Sequence, residues 1–309
     1  MGIDYTMTGI VADLKRSGAM PTHQSLFQDD DFINLMSDDM KTVIVPMLMS
    51  VVENHFQTEY DTTVIVDVDT YSIPWRAIGN KLKAVEIFDT DGTSRLATLA
   101  RLDLRDVASD VSTSYSSLSG FRMEGSDVVL SPINVWTGKT LRMTYFRRPN
   151  NLVSVNDTGQ VVAIDAGTGV VQLDNVPTAW TTTDTLDCIK NEPPFKAVAE
   201  EQAITLISGF DVTFSSVPTN LAIGDYVALK GQSPIPQIPY DAFPLLSQRG
   251  VVAALSAVAP QAAAGAEKTY MSMEKKFVNM ISPRVDDAPK KLVNRRGIWQ
   301  SIGTRRWPS

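Results

Sequence analysis

The sequence predicts an α+β protein. N- and C-terminal helices form a helical bundle, a large antiparallel β domain of sandwich or barrel-like character is inserted between them, and an extended C-terminal arm follows. Three observations carry this expectation. Apolar residues recur at steps of three and four near both ends. Short Val/Ile/Thr/Tyr runs separated by turn residues fill the middle. Positive charge collects in the last stretch of chain. The expected division is 1–58 for the N-terminal helices, 59–239 for the β-rich insertion, 240–282 for the C-terminal helices and 283–309 for the arm.

Taken in order, the stretch Ile10-Val11-Ala12-Asp13-Leu14-Lys15 predicts a short first helix. Asp29-Asp30-Asp31 then supplies a cap and first-turn negative charge for a second. Its apolar stripe runs through Phe32, Met36, Met40, Val43, Met47 and Val51. Pro46 interrupts that stripe and removes the backbone bond to Thr42, so a kink or two abutting helices are expected.

From Tyr60 to about Pro239 the texture is β. Val64-Ile65-Val66-Asp67-Val68 alternates with period two, as a half-buried strand does. Residues 81–88 and 95–99 flank Asp91-Gly92 as a hairpin; 128–130 and 141–146 flank a turn around Gly138. A third hairpin joins 161–164 to 170–173 through Gly167-Thr168-Gly169, and runs at 212–214 and 225–229 close the series. Short strands at this spacing predict a sandwich or barrel.

Residues 243–259 read as a helix stopped by Pro260. Ala262, Ala266, Tyr270, Met273, Phe277 and Met280 then stripe one face of another, opposite Lys268, Ser272, Lys275 and Asn279. Beyond it, Pro283, Pro289, Gly297, Gly303 and Pro308 predict extended chain.

Charge is unevenly placed. The total is −7, yet residues 283–309 hold seven basic side chains against two acidic ones, a net +5 that leaves −12 on the rest. Two of the five tryptophans, Trp299 and Trp307, lie in this basic arm. Trp and Arg are favoured interface anchors, so the arm is expected to dock. Its candidate contact residues are Lys290, Lys291, Arg295, Arg296, Trp299, Arg305, Arg306 and Trp307.

Composition also excludes classes. A chain of 309 residues, 43% apolar, can bury a sizeable core and is expected to split into two folding units. No run approaches the ~18 apolar residues of a membrane span, and no secretory leader is apparent. One cysteine, Cys188, forbids an internal disulfide; with only His23 and His55 beside it, no zinc site is expected. The acidic balance argues against a nucleic-acid clamp.

No catalytic signature emerges, and no cofactor or metal is expected. Gly167-Thr168-Gly169 and Gly120-Phe121 lack the spacing of a phosphate-binding loop and read as turns. Asp29 to Asp31 and Asp38-Asp39 lack calcium-loop spacing. His55, beside Phe56, reads as structural, and no serine or cysteine is matched with a histidine and a carboxylate. Asn156-Asp157-Thr158 reads as a turn, and the myristoylation pattern at Met1 to Thr6 is discounted. Trp75, Trp136 and Trp180 in the β region keep a sugar-binding surface as an alternative.

Ordered blocks of residues resemble the head-to-tail adaptor (connector) proteins of tailed bacteriophages. They are Leu26-Phe27-Gln28-Asp29-Asp30-Asp31-Phe32-Ile33 and Ile44-Val45-Pro46-Met47-Leu48-Met49-Ser50-Val51 near the N-terminus. Later come Tyr71-Ser72-Ile73-Pro74-Trp75-Arg76-Ala77-Ile78-Gly79-Asn80-Lys81-Leu82, then Leu141 to Pro149, and Ser282-Pro283-Arg284-Val285-Asp286. The resemblance implies a virion structural protein at the head–tail interface, synthesised in the bacterial cytoplasm. It further implies a ring of twelve copies under a portal ring, with the C-terminal arm reaching into the portal. Implied partners are the portal protein, neighbouring subunits and a tail nozzle, tube or fibre protein, with DNA passing through the channel and no membrane. Another tail component, such as a nozzle or a receptor- or glycan-binding β module, is the alternative.

Overall fold

The computed structural model describes residues 4–18, 27–102, 120–132 and 134–282. It is a mixed helical and sheet protein with several antiparallel sheets and a closed six-stranded barrel. The eight arm residues from Lys290 to Trp307 lie outside the described residues.

Among the described residues, five α-helices lie toward the two ends: α1 (Met7–Ser17), α2 (Asp29–Asp39), α3 (Val45–Val51), α4 (Phe243–Val258) and α5 (Pro260–Ile281). The first is longer than 10–15 because Met7 joins Ile10, Val11 and Leu14 on its buried face. In α2 the cap is Gln28 rather than an aspartate. The Asp31 carboxylate accepts the Gln28 backbone N–H at 2.8 Å, and Asp29 to Asp31 fill the positive end of the first turn. Between α2 and α3 the chain makes a π turn, Met40–Ile44. The wider turn absorbs the backbone bond that Pro46 cannot make, and both Met40 and Ile44 stay fully buried.

The terminal helices share one apolar cluster. Met7, Leu14, Phe32 and Met36 pack with Leu246, Val251 and Ala254 of α4. Close approach requires Gly250: a β-carbon there would lie 2.5 Å from Leu14 Cδ1 and 2.9 Å from Met36 Cγ. Each fully buried large side chain contributes ~1.5–3 kcal/mol relative to exposure, more than helix propensity supplies per residue. On α5 the buried line is Ala263, Tyr270 and Phe277; Ala262 and Met280 of the expected stripe are exposed instead. Pro260 both ends α4 and occupies the first turn of α5, where its missing N–H costs nothing.

The middle of the chain forms two β units. In the first, β1 (Gln57–Thr63), β8 (Thr140–Arg147), β3 (Ala77–Phe88) and β4 (Arg95–Thr98) lie in that order, all antiparallel. A second sheet runs β2 (Thr70–Ser72), β7 (Asp127–Ser131), β6 (Gly120–Glu124) and β5 (Ala100–Arg101). Val85, Ile87, Leu141 and Met143 of one meet Tyr71, Phe121, Val128 and Leu130 of the other. The second unit is the closed barrel β10 (Gly159–Asp165), β11 (Val170–Leu173), β14 (Asp211–Phe214), β13 (Ala197–Ser208), β12 (Thr185–Ile189) and β15 (Tyr226–Leu229). Its core holds Val161, Val171, Leu186, Cys188, Val212 and Val227. A parallel pair, β9 (Asn151–Leu152) and β16 (Gln232–Ser233), joins the chain entering the barrel to the chain leaving it.

Four strand expectations need correction. Val64 to Val68 is a loop, because Asp67 adopts φ 58° and breaks the extended chain. Gly120 begins a strand rather than a turn. Its missing side chain admits the Ala100 carbonyl, which would stand 2.5 Å from a β-carbon. The runs around Gly138 do not pair with each other: β7 and β8 belong to different sheets. Strands β12 and β13 lie where no hairpin was expected.

Candidate functional site

The most elaborated polar cluster lies where the barrel, the first β unit and the β9–β16 pair meet. Arg76, in the Trp75-Arg76 turn leading into β3, is 2% exposed. Its Nη2 donates to both carboxylate oxygens of Asp187, at 2.8 and 2.7 Å, and its Nη1 donates to Asn150 Oδ1 at 2.8 Å. The Glu200 carboxylate lies 3.2 Å from Arg76 Nε and 2.6 Å from Arg147 Nε.

A β-bulge puts Asp187 there. Along β12, the pairing with β13 shifts between Leu186 and Cys188, and opposite this shift Glu201 stands at φ 54°. The Glu201 N–H donates to Asp187 Oδ1 at 3.0 Å, and the Gly231 N–H to Oδ2 at 2.8 Å. Leu186 and Cys188 point into the barrel core, whereas Ile189 joins the cluster of the terminal helices. Asp187, fully buried, is thereby aimed at Arg76.

Asn150 ties the cluster to the rest of the chain. Its Nδ2 donates to Asp187 Oδ2 and to the Gln232 carbonyl, both at 2.9 Å, and its backbone N–H donates to Gln237 Oε1 at 3.0 Å. Gln237 precedes α4, so one asparagine connects both β units with the C-terminal helices. Most polar atoms of the cluster are paired in this way, while Arg76 Nε, Arg147 Nε and Gln237 Nε2 are buried without a hydrogen bond, the two arginine nitrogens facing the Glu200 carboxylate as ion pairs only. Burial, partly offset by Glu200, lowers the Arg147 pKa from its ordinary value. It pushes the neighbouring Tyr145 hydroxyl up to about 12.

At the rim of this cluster Trp75 is half exposed. Its ring is flanked by the Arg76 guanidinium, 4.8 Å from the centroid, and the Lys230 ammonium at 5.2 Å. The indole N–H donates to Glu201 Oε1, and Lys230 donates to Glu201 Oε2 at 2.8 Å. Burial raises the Glu201 pKa, but these two donors overcome it and the net shift is downward. The three tryptophans do not converge on one surface. Trp180 is buried in the barrel core and Trp136 packs on the core of the first β unit.

Two further surfaces are notable. Ile65, Val66, Val68 and Val135 are exposed on adjoining loops. Those loops are held by Asp67 N–H to Asn134 Oδ1 (2.7 Å) and Asn134 Nδ2 to Asp67 Oδ1 (2.8 Å). The second surface is a groove between α1, α4 and α5. His55 sits against Phe56, ring centroids 5.0 Å apart and nearly perpendicular, and burial lowers its pKa. Cys188 is buried in the barrel, which pushes its thiol up to about 12.

Among the described residues, no group of three or more His, Cys, Asp or Glu side chains is placed to hold a metal ion. None of the described helices is long and apolar enough to cross a membrane. No local motif marks Arg76, Asn150 and Asp187 as a site, since 111 residues separate the two charges. The available signal was a charged residue inside the apolar run Leu186-Asp187-Cys188-Ile189. No protein-family model matches the chain, and no curated protein matches it.

Proposed function

We propose that this chain is a virion structural protein without catalytic activity, a head-to-tail adaptor of a tailed bacteriophage. In this reading its terminal helices act as one bundle, copies assemble into a ring of about twelve through repeated heterologous contacts, and the basic arm docks onto the portal protein. A tail nozzle, tube or fibre protein would take the opposite face. The observation that carries the reading is the segregation of charge: a body of net −12 ends in a tail of net +5 that holds Trp299 and Trp307. That tail follows directly on α5, whose buried line fastens it to α4.

The acidic body suits a channel for DNA. Every Lys or Arg paired with phosphate adds counterion-release affinity, and a passage for sliding DNA is better without it. Arg142 and Arg147 carry carboxylate partners, Asp61 and Glu200, at 2.7 and 2.6 Å.

Mass photometry of the protein with and without portal tests the ring, which should appear as a stoichiometric complex near twelve copies. Deleting residues 289–309 should abolish portal binding and leave the free chain folded. Binding that survives the deletion would refute the docking role of the arm.

A further inference from the structure

The groove between α1, α4 and α5 encloses about 470 Å³. Ile10, Met273 and Met280 give it an apolar floor, and Met280 is 61% exposed. Methionines are flexible and polarizable, and suit a surface that receives another apolar group. Its rim carries three carboxylates, Asp4, Asp13 and Asp241, against one cation, Arg16, which is paired with Asp13 at 2.5 Å.

We propose that this groove binds the chain's own tail, residues 290–308, with Trp299 and Trp307 on the methionine floor and the tail's cations facing the acidic rim. Three facts favour this occupant. Charge is complementary, since residues 290–308 carry six basic side chains and no acidic one. The tail starts at the groove: Met280, on its floor, lies three residues before Pro283. Reach is ample, because 27 residues at up to ~3.3 Å each far exceed the ~10 Å of helix between Met273 and Met280. Attachment to the same chain gives the tail a high effective concentration, so even a weak contact is populated. The contact is independent of the portal reading and would compete with any partner that captures the tail.

The test is hydroxyl-radical footprinting of the full chain, with methionine sulfoxide read by mass spectrometry. Met271, exposed on α5 but outside the groove, is the internal control. The Met280-to-Met271 oxidation ratio should rise several-fold in the Trp299→Ala/Trp307→Ala double variant. It should rise likewise in Asp241→Lys, which leaves the tail intact. Ratios equal to those of the unaltered chain in both variants overturn the proposal. Protection that fades on dilution also overturns it, because the tail would then come from a second copy. No portal is present in this experiment, so its failure is separate from failure of portal docking.

Discussion

Arg76 and Asp187 stand 111 residues apart and meet through two hydrogen bonds of 2.8 and 2.7 Å, with neither side chain more than 2% exposed. One residue leads into the first β unit and the other sits in the barrel wall. The pair therefore fixes how the chain's two β units are joined, and Asn150 extends the same network toward α4.

Asp187→Ala leaves the buried Arg76 guanidinium with Asn150 as a neutral partner and only Glu200 and Glu201 as nearby carboxylates. The expected loss is about 3–5 kcal/mol, measured by urea unfolding. Replacing both charges, as Arg76→Met with Asp187→Leu, should recover most of that loss, because it removes the stranded charge along with its partner. Equal destabilisation by the single and double variants would show that packing, not charge burial, sets the cost.

Gly250 lies where α4 crosses α1 and α2. Gly250→Val should cost ~1–3 kcal/mol by overpacking against Leu14 and Met36. Gly250→Ala should cost less, since better helix propensity returns up to ~1 kcal/mol. Thermal denaturation of the two variants distinguishes these effects.

His55 has a folded pKa below its ordinary 6.5, chiefly through burial and then through Lys196. The unfolded chain therefore binds this proton more readily. Stability is full above 6.5, falls as pH drops below that value, and levels out once the folded pKa is passed. His55→Gln should flatten this loss, so the stability difference between variant and unaltered chain should change sign or shrink between pH 8 and pH 5. A difference independent of pH would count against the assignment.

Asp67 holds a left-handed conformation at φ 58° that β-branched residues rarely adopt. Asp67→Val should cost ~1–2 kcal/mol from backbone strain alone, with loss of the hydrogen bond from Asn134 Nδ2 to the Asp67 carboxylate added. Asp67→Gly should be milder. Comparing the two midpoints separates backbone strain from side-chain bonding.

The helices were legible because their apolar spacing matches the turn of the helix, and Phe32, Met36 and Tyr270 are buried as that spacing demands. Hairpins with Asp-Gly or Gly-Thr-Gly turns were legible too, since left-handed Gly92 and Gly169 mark them locally. Val64 to Val68 misled because alternation does not reveal a left-handed Asp67. Strands β12 and β13 were hidden for a related reason. Their bulge sets Asp187 against Glu200 and Glu201, and three carboxylates look unlike a buried ladder until Arg76 arrives from distant sequence. Pairing between remote charges leaves no periodic trace.

Strand β12 lends Leu186 and Cys188 to the barrel interior and Ile189 to the helical cluster on its other side. The barrel is consequently not a cassette that can be lifted out and exchanged. A chimera that swapped in a foreign module at this position would strip the helices of part of their floor, even with perfectly matched splice points. Engineers seeking an exchangeable region would do better at the tip of the β13–β14 hairpin, where Gly209 and the exposed Phe210 face solvent.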